Sequence, residues 1–102
     1  MTGLIARPDS ALVSRLHPSP NIEPRKPGLR PSMLILHYTG LTTVDRALDV
    51  LSRPDCKVSC HYVVDEDGRI IQMVAEDARA WHAGVSYWAG ETDINSASIG
   101  IE

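Results

Sequence analysis

This chain of 102 residues contains no phenylalanine, and two Trp and three Tyr are its only aromatic residues. Its core must therefore come from aliphatic and small side chains, which makes any local cluster of aromatics informative. Cysteine is almost as scarce: Cys56 and Cys60 stand four residues apart. They would close a loop too short to stabilise much, so a disulfide framework is excluded and a reduced, cytoplasmic setting is the simpler expectation. No apolar run approaches the roughly 18 residues of a membrane-spanning helix. The opening stretch MTGLIARPDSALVSRL lacks a basic region followed by a continuous apolar segment, which argues against a secretory signal and again points to the cytoplasm, without excluding the periplasm. Nor is there an excess of positive charge. Ten basic against thirteen acidic residues leave a net charge of −3, which favours neither nucleic acid nor an anionic membrane as partner. What is present, 43% hydrophobic and 23% charged residues, is the composition of one small globular domain.

Residues 1–31 read as an irregular lead-in. Five of the seven prolines fall between His17 and Pro31, each fixing φ and removing a backbone donor, which leaves a mobile arm or a segment wrapped on the domain. Residues 32–102 carry the regular structure. Met33-Leu34-Ile35-Leu36, bounded by Pro31 and Thr39-Gly40, predicts a short strand buried on both faces. Thr42 and Asp45 resemble a capping box at the head of an amphipathic helix with Val44, Ala47, Leu48 and Leu51 on one face, ended by Pro54. Two β-rich runs, His61–Val64 and Arg69–Val74, flank Asp65-Glu66-Asp67-Gly68 and predict a hairpin. Glu76–Ala97 shows little periodicity and predicts a long loop with one short helical turn. Ser98–Glu102 resumes strand character up to the last residue, so the domain reads as cut short. The sum is a mixed α/β domain on a mixed sheet.

Candidate chemistry gathers at a few positions. His37 follows the apolar strand, where a backbone leaving the core often presents a ligand or catalyst; a hydrogen-bonded histidine at the core's edge is the plainer alternative. Cys60 and His61 point to opposite faces of a strand and cannot serve one metal together, and packing is the expected role of Cys56. Three of the five aromatics, Trp81, Tyr87 and Trp88, lie within eight residues, with His82 between them. Such faces suit sugars and apolar ligand surfaces, or plug a core without Phe. Glu102 ends an apolar strand, where a carboxylate is either a candidate general base or an exposed strand end.

Six pieces in order resemble the amidase-2 family, zinc-dependent N-acetylmuramoyl-L-alanine amidases related in fold to peptidoglycan recognition proteins and phage T7-type lysozyme. They are Ser19-Pro20-Asn21, Leu34-Ile35-Leu36-His37-Tyr38-Thr39, Val58–Val64, Asp67-Gly68, Arg79–Gly84, and Asn95 ahead of Ser98–Glu102. The likeness is strongest to the bacterial cell-wall-recycling branch. It implies a central mixed sheet flanked by helices, with the C-terminal part of the domain missing, and one Zn2+ ion in a cleft at the sheet's carboxyl end. It also implies His37 as first metal ligand, Glu102 as the catalytic carboxylate, His61, Trp81, His82 and Ala83 along the substrate groove, and Asn95 ordering the loop before the last strand. The implied reaction is hydrolysis of the amide between N-acetylmuramic acid and L-alanine of a peptidoglycan fragment or muropeptide. The other zinc ligands and an oxyanion-stabilising lysine are expected from a segment after Glu102, or from a second chain. Without them, a metal-free muropeptide-binding module is the alternative.

Overall fold

The computed structural model describes residues 3–38 and 40–102; Met1, Thr2 and Thr39 of the Leu34–Thr39 stretch lie outside the described residues. In chain order the elements are β1 (Val13–Leu16), β2 (Ile22–Pro24), β3 (Met33–Leu36), α1 (Val44–Ser52), β4 (Tyr62–Val64), β5 (Ile70–Gln72), β6 (Ala78–Ala80) and β7 (Ser98–Ile101). Short 3-10 turns cover Pro54–Cys56 and Ile94–Ala97. Five strands form one sheet in the order β1-β5-β4-β7-β3, and β2 pairs with β6 in a second. The β1–β5, β4–β7 and β3–β7 pairs are parallel and β4–β5 is antiparallel. This is the mixed α/β sheet that the sequence predicts. No helix among the described residues is long and apolar enough to cross a membrane.

The hairpin forms as expected, with Gly68 at φ 90° in the turn between β4 and β5, a conformation only glycine adopts at little cost. The helix also forms, but its cap is Thr43, whose side chain accepts from the Arg46 amide, one residue later than the capping-box pattern suggests. Its buried face, Ala47, Leu48 and Leu51, packs with Val63 and Ile71 on one side of the sheet.

Strand β3 departs from expectation. It lies at the sheet edge, and Leu34 and Leu36 are 70% and 78% exposed. Leu34 and Leu36 stand in register with Ile99 and Ile101, on the face opposite Val63, and α1 covers only the Val63 side. Cys56, expected to pack, is exposed, whereas Cys60 is buried in the core, because the Pro54 turn carries position 56 outward.

The lead-in is neither wholly irregular nor detached. Strand β1 closes one edge of the main sheet, and β2 pairs antiparallel with β6. Pro24 fits because β2 has a single hydrogen-bonded neighbour. Ser19 and Asn21 are buried. The Ser19 hydroxyl donates to the Leu51 carbonyl, and the Asn21 amide donates to the carbonyls of Arg53 and Val58, at 3.0 and 2.9 Å. Arg25 donates to the carbonyls of Glu76, Asn95, Ser96 and Ser98. The segment wraps the domain. The stretch Glu76–Ala97 likewise contains more structure than one helical turn, because β6 lies within it.

Candidate active site

Strands β3 and β7 run parallel with Leu36 opposite Ile101. The next residues, His37 and Glu102, therefore leave the sheet side by side at its carboxyl edge, the usual place for ligands in α/β sheets. Backbone bonds hold both: the His37 amide donates to the Ile101 carbonyl (2.8 Å) and the Glu102 amide to the Tyr62 carbonyl (2.9 Å). Burial raises the Glu102 carboxyl above its ordinary pKa, and the nearby charge of His37 draws it partly back.

Behind His37 stands His82. His37 Nε2 lies 2.9 Å from His82 Nδ1, and His82 Nε2 lies 3.0 Å from the Ser98 hydroxyl, which donates to the Ile94 carbonyl (2.7 Å). The two rings meet edge to face, with centroids 5.0 Å apart. Burial, followed by the charges of His37 and His61, pushes the His82 pKa down to about 4, so the ring is neutral near pH 7. Gly100 makes room for it: a Cβ there would come within 2.6 Å of the His82 ring.

The resemblance places His61 and His82 on the substrate groove, but neither has a ring nitrogen to offer a ligand. His61 is wholly buried. Its Nδ1 accepts from the Gly100 amide (3.1 Å), so Nε2 carries the proton and donates to the Ala78 carbonyl (2.9 Å). Arg25 Nη2, 3.3 Å from that Nε2, then meets a second donor and forms a contact rather than a hydrogen bond. Burial lowers the His61 pKa to about 4. Trp81 is half-buried, and its indole N–H donates to Glu23 of β2 (3.0 Å) at the surface. Asn95 is buried, and its side-chain oxygen accepts from the amides of His82 (3.1 Å) and Ala83 (2.8 Å). It holds the loop rather than a ligand.

Ala83 does line a cavity. A hollow of about 490 Å³ opens beside His37, with Ala83, Ser86, Tyr87 and Trp88 on one wall and Met33 and Ile35 on another. Tyr87 and Trp88 are 69% and 65% exposed, so they do not plug the core. They lead into a tight turn in which Ala89 and Gly90 have φ of 50° and 84° and Trp88 and Glu91 exchange both backbone bonds, the geometry of a type I′ hairpin. Clustering of aromatics in a Phe-free chain is the sequence signal for this wall; it does not distinguish Trp81, which faces away.

Among the described residues, no three His, Cys, Asp or Glu side chains converge as a metal site. His37 alone supplies a nitrogen donor beside the cavity, so these residues by themselves do not fit a catalytic zinc ion, which takes three protein ligands and a water.

Comparison with known proteins gives a consistent result. The family profile described as N-acetylmuramoyl-L-alanine amidase matches residues 27–102. The 1,6-anhydro-N-acetylmuramyl-L-alanine amidase AmpD of Salmonella typhimurium is 35% identical over 106 aligned residues, covering 87% of this chain and 57% of the relative. The N-acetylmuramoyl-L-alanine amidase AmiD of Escherichia coli is 42% identical over 80 residues, 72% of this chain and 28% of that protein. The crystal structure of a selenomethionine AmpD derivative superposes with a TM-score of 0.76 at 32% identity, covering 90% of this chain and 60% of the other. The chain thus spans somewhat under three-fifths of the AmpD relative's length.

Proposed function

Because this chain belongs to the N-acetylmuramoyl-L-alanine amidase family, we propose that its cleft binds a muropeptide and contributes to hydrolysis of the amide joining N-acetylmuramic acid to L-alanine, in cell-wall turnover. The observation that carries the reading is the pairing of His37 and Glu102 at the carboxyl ends of adjacent parallel strands, beside the aromatic-walled cavity. Glu102, its pKa raised by burial, is suited to take a proton from water near neutral pH. Tyr87 and Trp88 offer faces for a sugar ring or the apolar edge of a stem peptide. Recycling of soluble fragments would place this chemistry in the cytoplasm.

Zinc belongs to the same proposal, with ligands beyond His37 supplied by a segment following Glu102 or by a second chain. This is supported by the greater length of the AmpD relative and by the single nitrogen donor beside the cavity among the described residues. The test compares the 102-residue chain with a chimera in which the rest of the AmpD relative is fused after Glu102. Metal analysis and mass spectrometry of a 1,6-anhydro muropeptide serve as readouts. The short chain should hold little zinc and cleave little; the chimera should do both, and lose cleavage in Glu102→Gln. Stoichiometric zinc and turnover by the short chain would overturn the incomplete-site reading. A chimera that holds zinc but leaves the amide intact would sink the amidase reading. The lack of a converging ligand set among the described residues favours one alternative, a non-catalytic muropeptide-binding module. It requires binding by the short chain that chelators do not disturb.

A further inference from the structure

We propose that Ile94, Ser98 and His82 form a tautomer lock that fixes the neutral imidazole of His37 with its proton on Nε2, so that Nδ1 carries the one lone pair His37 can offer a ligand. The argument starts at the carbonyl of Ile94, which can only accept. Its bond from the Ser98 hydroxyl (2.7 Å) commits the single hydroxyl proton. Ser98 Oγ must then accept from His82 Nε2, 3.0 Å away, which puts the proton of a neutral His82 on Nε2 and leaves Nδ1 as acceptor. His37 Nε2, 2.9 Å from that Nδ1, is therefore the donor. Among the described residues no hydrogen bond engages His37 Nδ1. Every contact in the chain runs in one direction, and each link fixes the next.

The consequence for binding is a population effect. A free imidazole divides between two tautomers, and only the form with an open lone pair at the right nitrogen can accept a bond from a ligand there. Apparent affinity falls by the unusable fraction. A partner on the far nitrogen also holds the ring in orientation, as partners of ligating histidines commonly do. His82 and Ser98 are thus positioning residues acting through His37. The backbone supports them: Asn95 holds the His82 amide and Gly100 leaves space for the ring. The role rests on the reading of His37 as the site's ligand nitrogen, but its test does not require activity.

Nitrogen-15 histidine spectra of the 102-residue chain, recorded well above the usual histidine titration range, distinguish protonated from lone-pair ring nitrogens directly. In the native chain His37 and His82 should each show a protonated Nε2 and an unprotonated Nδ1. His82→Asn, whose side-chain oxygen can stand near the position of Nδ1, should retain the His37 pattern. His82→Phe should return His37 to a mixture, and Ser98→Ala should do the same to both rings. A native His37 protonated on Nδ1, or a His37 pattern unmoved by His82→Phe, would overturn the lock. Should Ser98→Ala fail to fold, the contrast between His82→Asn and His82→Phe still decides. Failure of the amidase reading appears separately, as an uncleaved muropeptide with these spectra unchanged.

Discussion

Gly100 lies directly against the ring of His82: a Cβ on residue 100 would come 2.6 Å from Cγ and 2.8 Å from Nδ1. No real side chain tolerates such a contact, so the small residue and the histidine eighteen positions earlier determine each other. Gly100→Ala should force the ring away from His37 and cost about 1–3 kcal/mol, the usual penalty for overpacking. Urea midpoints and the His37–His82 separation in a structure of the variant measure both effects. A variant as stable as the parent with the ring in place would show that the strand can give way instead.

Asn95 satisfies two loop amides with one oxygen. Asn95→Ala should leave both without a partner, cost about 1–3 kcal/mol, and speed hydrogen exchange at residues 82 and 83. Unchanged exchange there would mean that water replaces the side chain without penalty.

Arg25 ties the Pro-rich segment to four carbonyls across the domain. Arg25→Met should lower stability by at least about 2 kcal/mol, since hydrogen bonds from a charged donor are the costlier ones to lose. It should also open residues 17–31 to proteolysis. Arg25→Lys should rescue little, because one ammonium cannot span the fork. Equal protease resistance in parent and Arg25→Met would remove the strap role.

His61 and His82 both have pKa values lowered to about 4, chiefly by burial. Below the ordinary value near 6.5 the unfolded chain binds protons that the folded chain refuses. Their contribution is therefore fully present above about pH 6.5 and is lost as pH falls toward 4. The combined loss should be on the order of a few kcal/mol. Urea midpoints at pH 7 and pH 5 measure it, and a flat profile would mean that neither ring is held neutral.

Trp88 stands mostly in solvent at the cavity wall. Trp88→Ala should leave the unfolding midpoint nearly unchanged and weaken muropeptide binding roughly 3- to 10-fold, the worth of one aromatic contact. Calorimetric titration gives the value, and unaltered affinity would move the ligand to another surface.

Much of this was legible in the sequence because it depends on local pattern. The β4–β5 hairpin follows from its Gly-containing acidic turn, and α1 from the spacing of Ala47, Leu48 and Leu51. His37 and Glu102 stood out as polar ends of apolar runs, and the structure sets them side by side. What stayed hidden depends on partners distant in sequence. Exposure of Leu34 and Leu36 reflects the position of β3 at the sheet edge, which no periodicity reveals. Strand β2 exists because β6 is there to pair with it. The orientation of Trp81 depends on Glu23, 58 residues earlier. The ring nitrogens of His61 and His82 are spent on groups from several segments, so neither resemblance nor spacing could show that they face inward.

Strand β7 finally sets a rule of parity for how this chain can vary. On one face Ser98 anchors, Gly100 yields space and Glu102 bears the carboxylate, while Ile99 and Ile101 serve the other. Ile99 and Ile101 should accept exchange among β-branched residues, and the even-numbered positions should resist nearly any. A one-residue insertion or deletion in the Ile94–Ala97 turn would be worse than any point change. It would exchange the two faces and put isoleucine beneath His82, with the composition almost untouched.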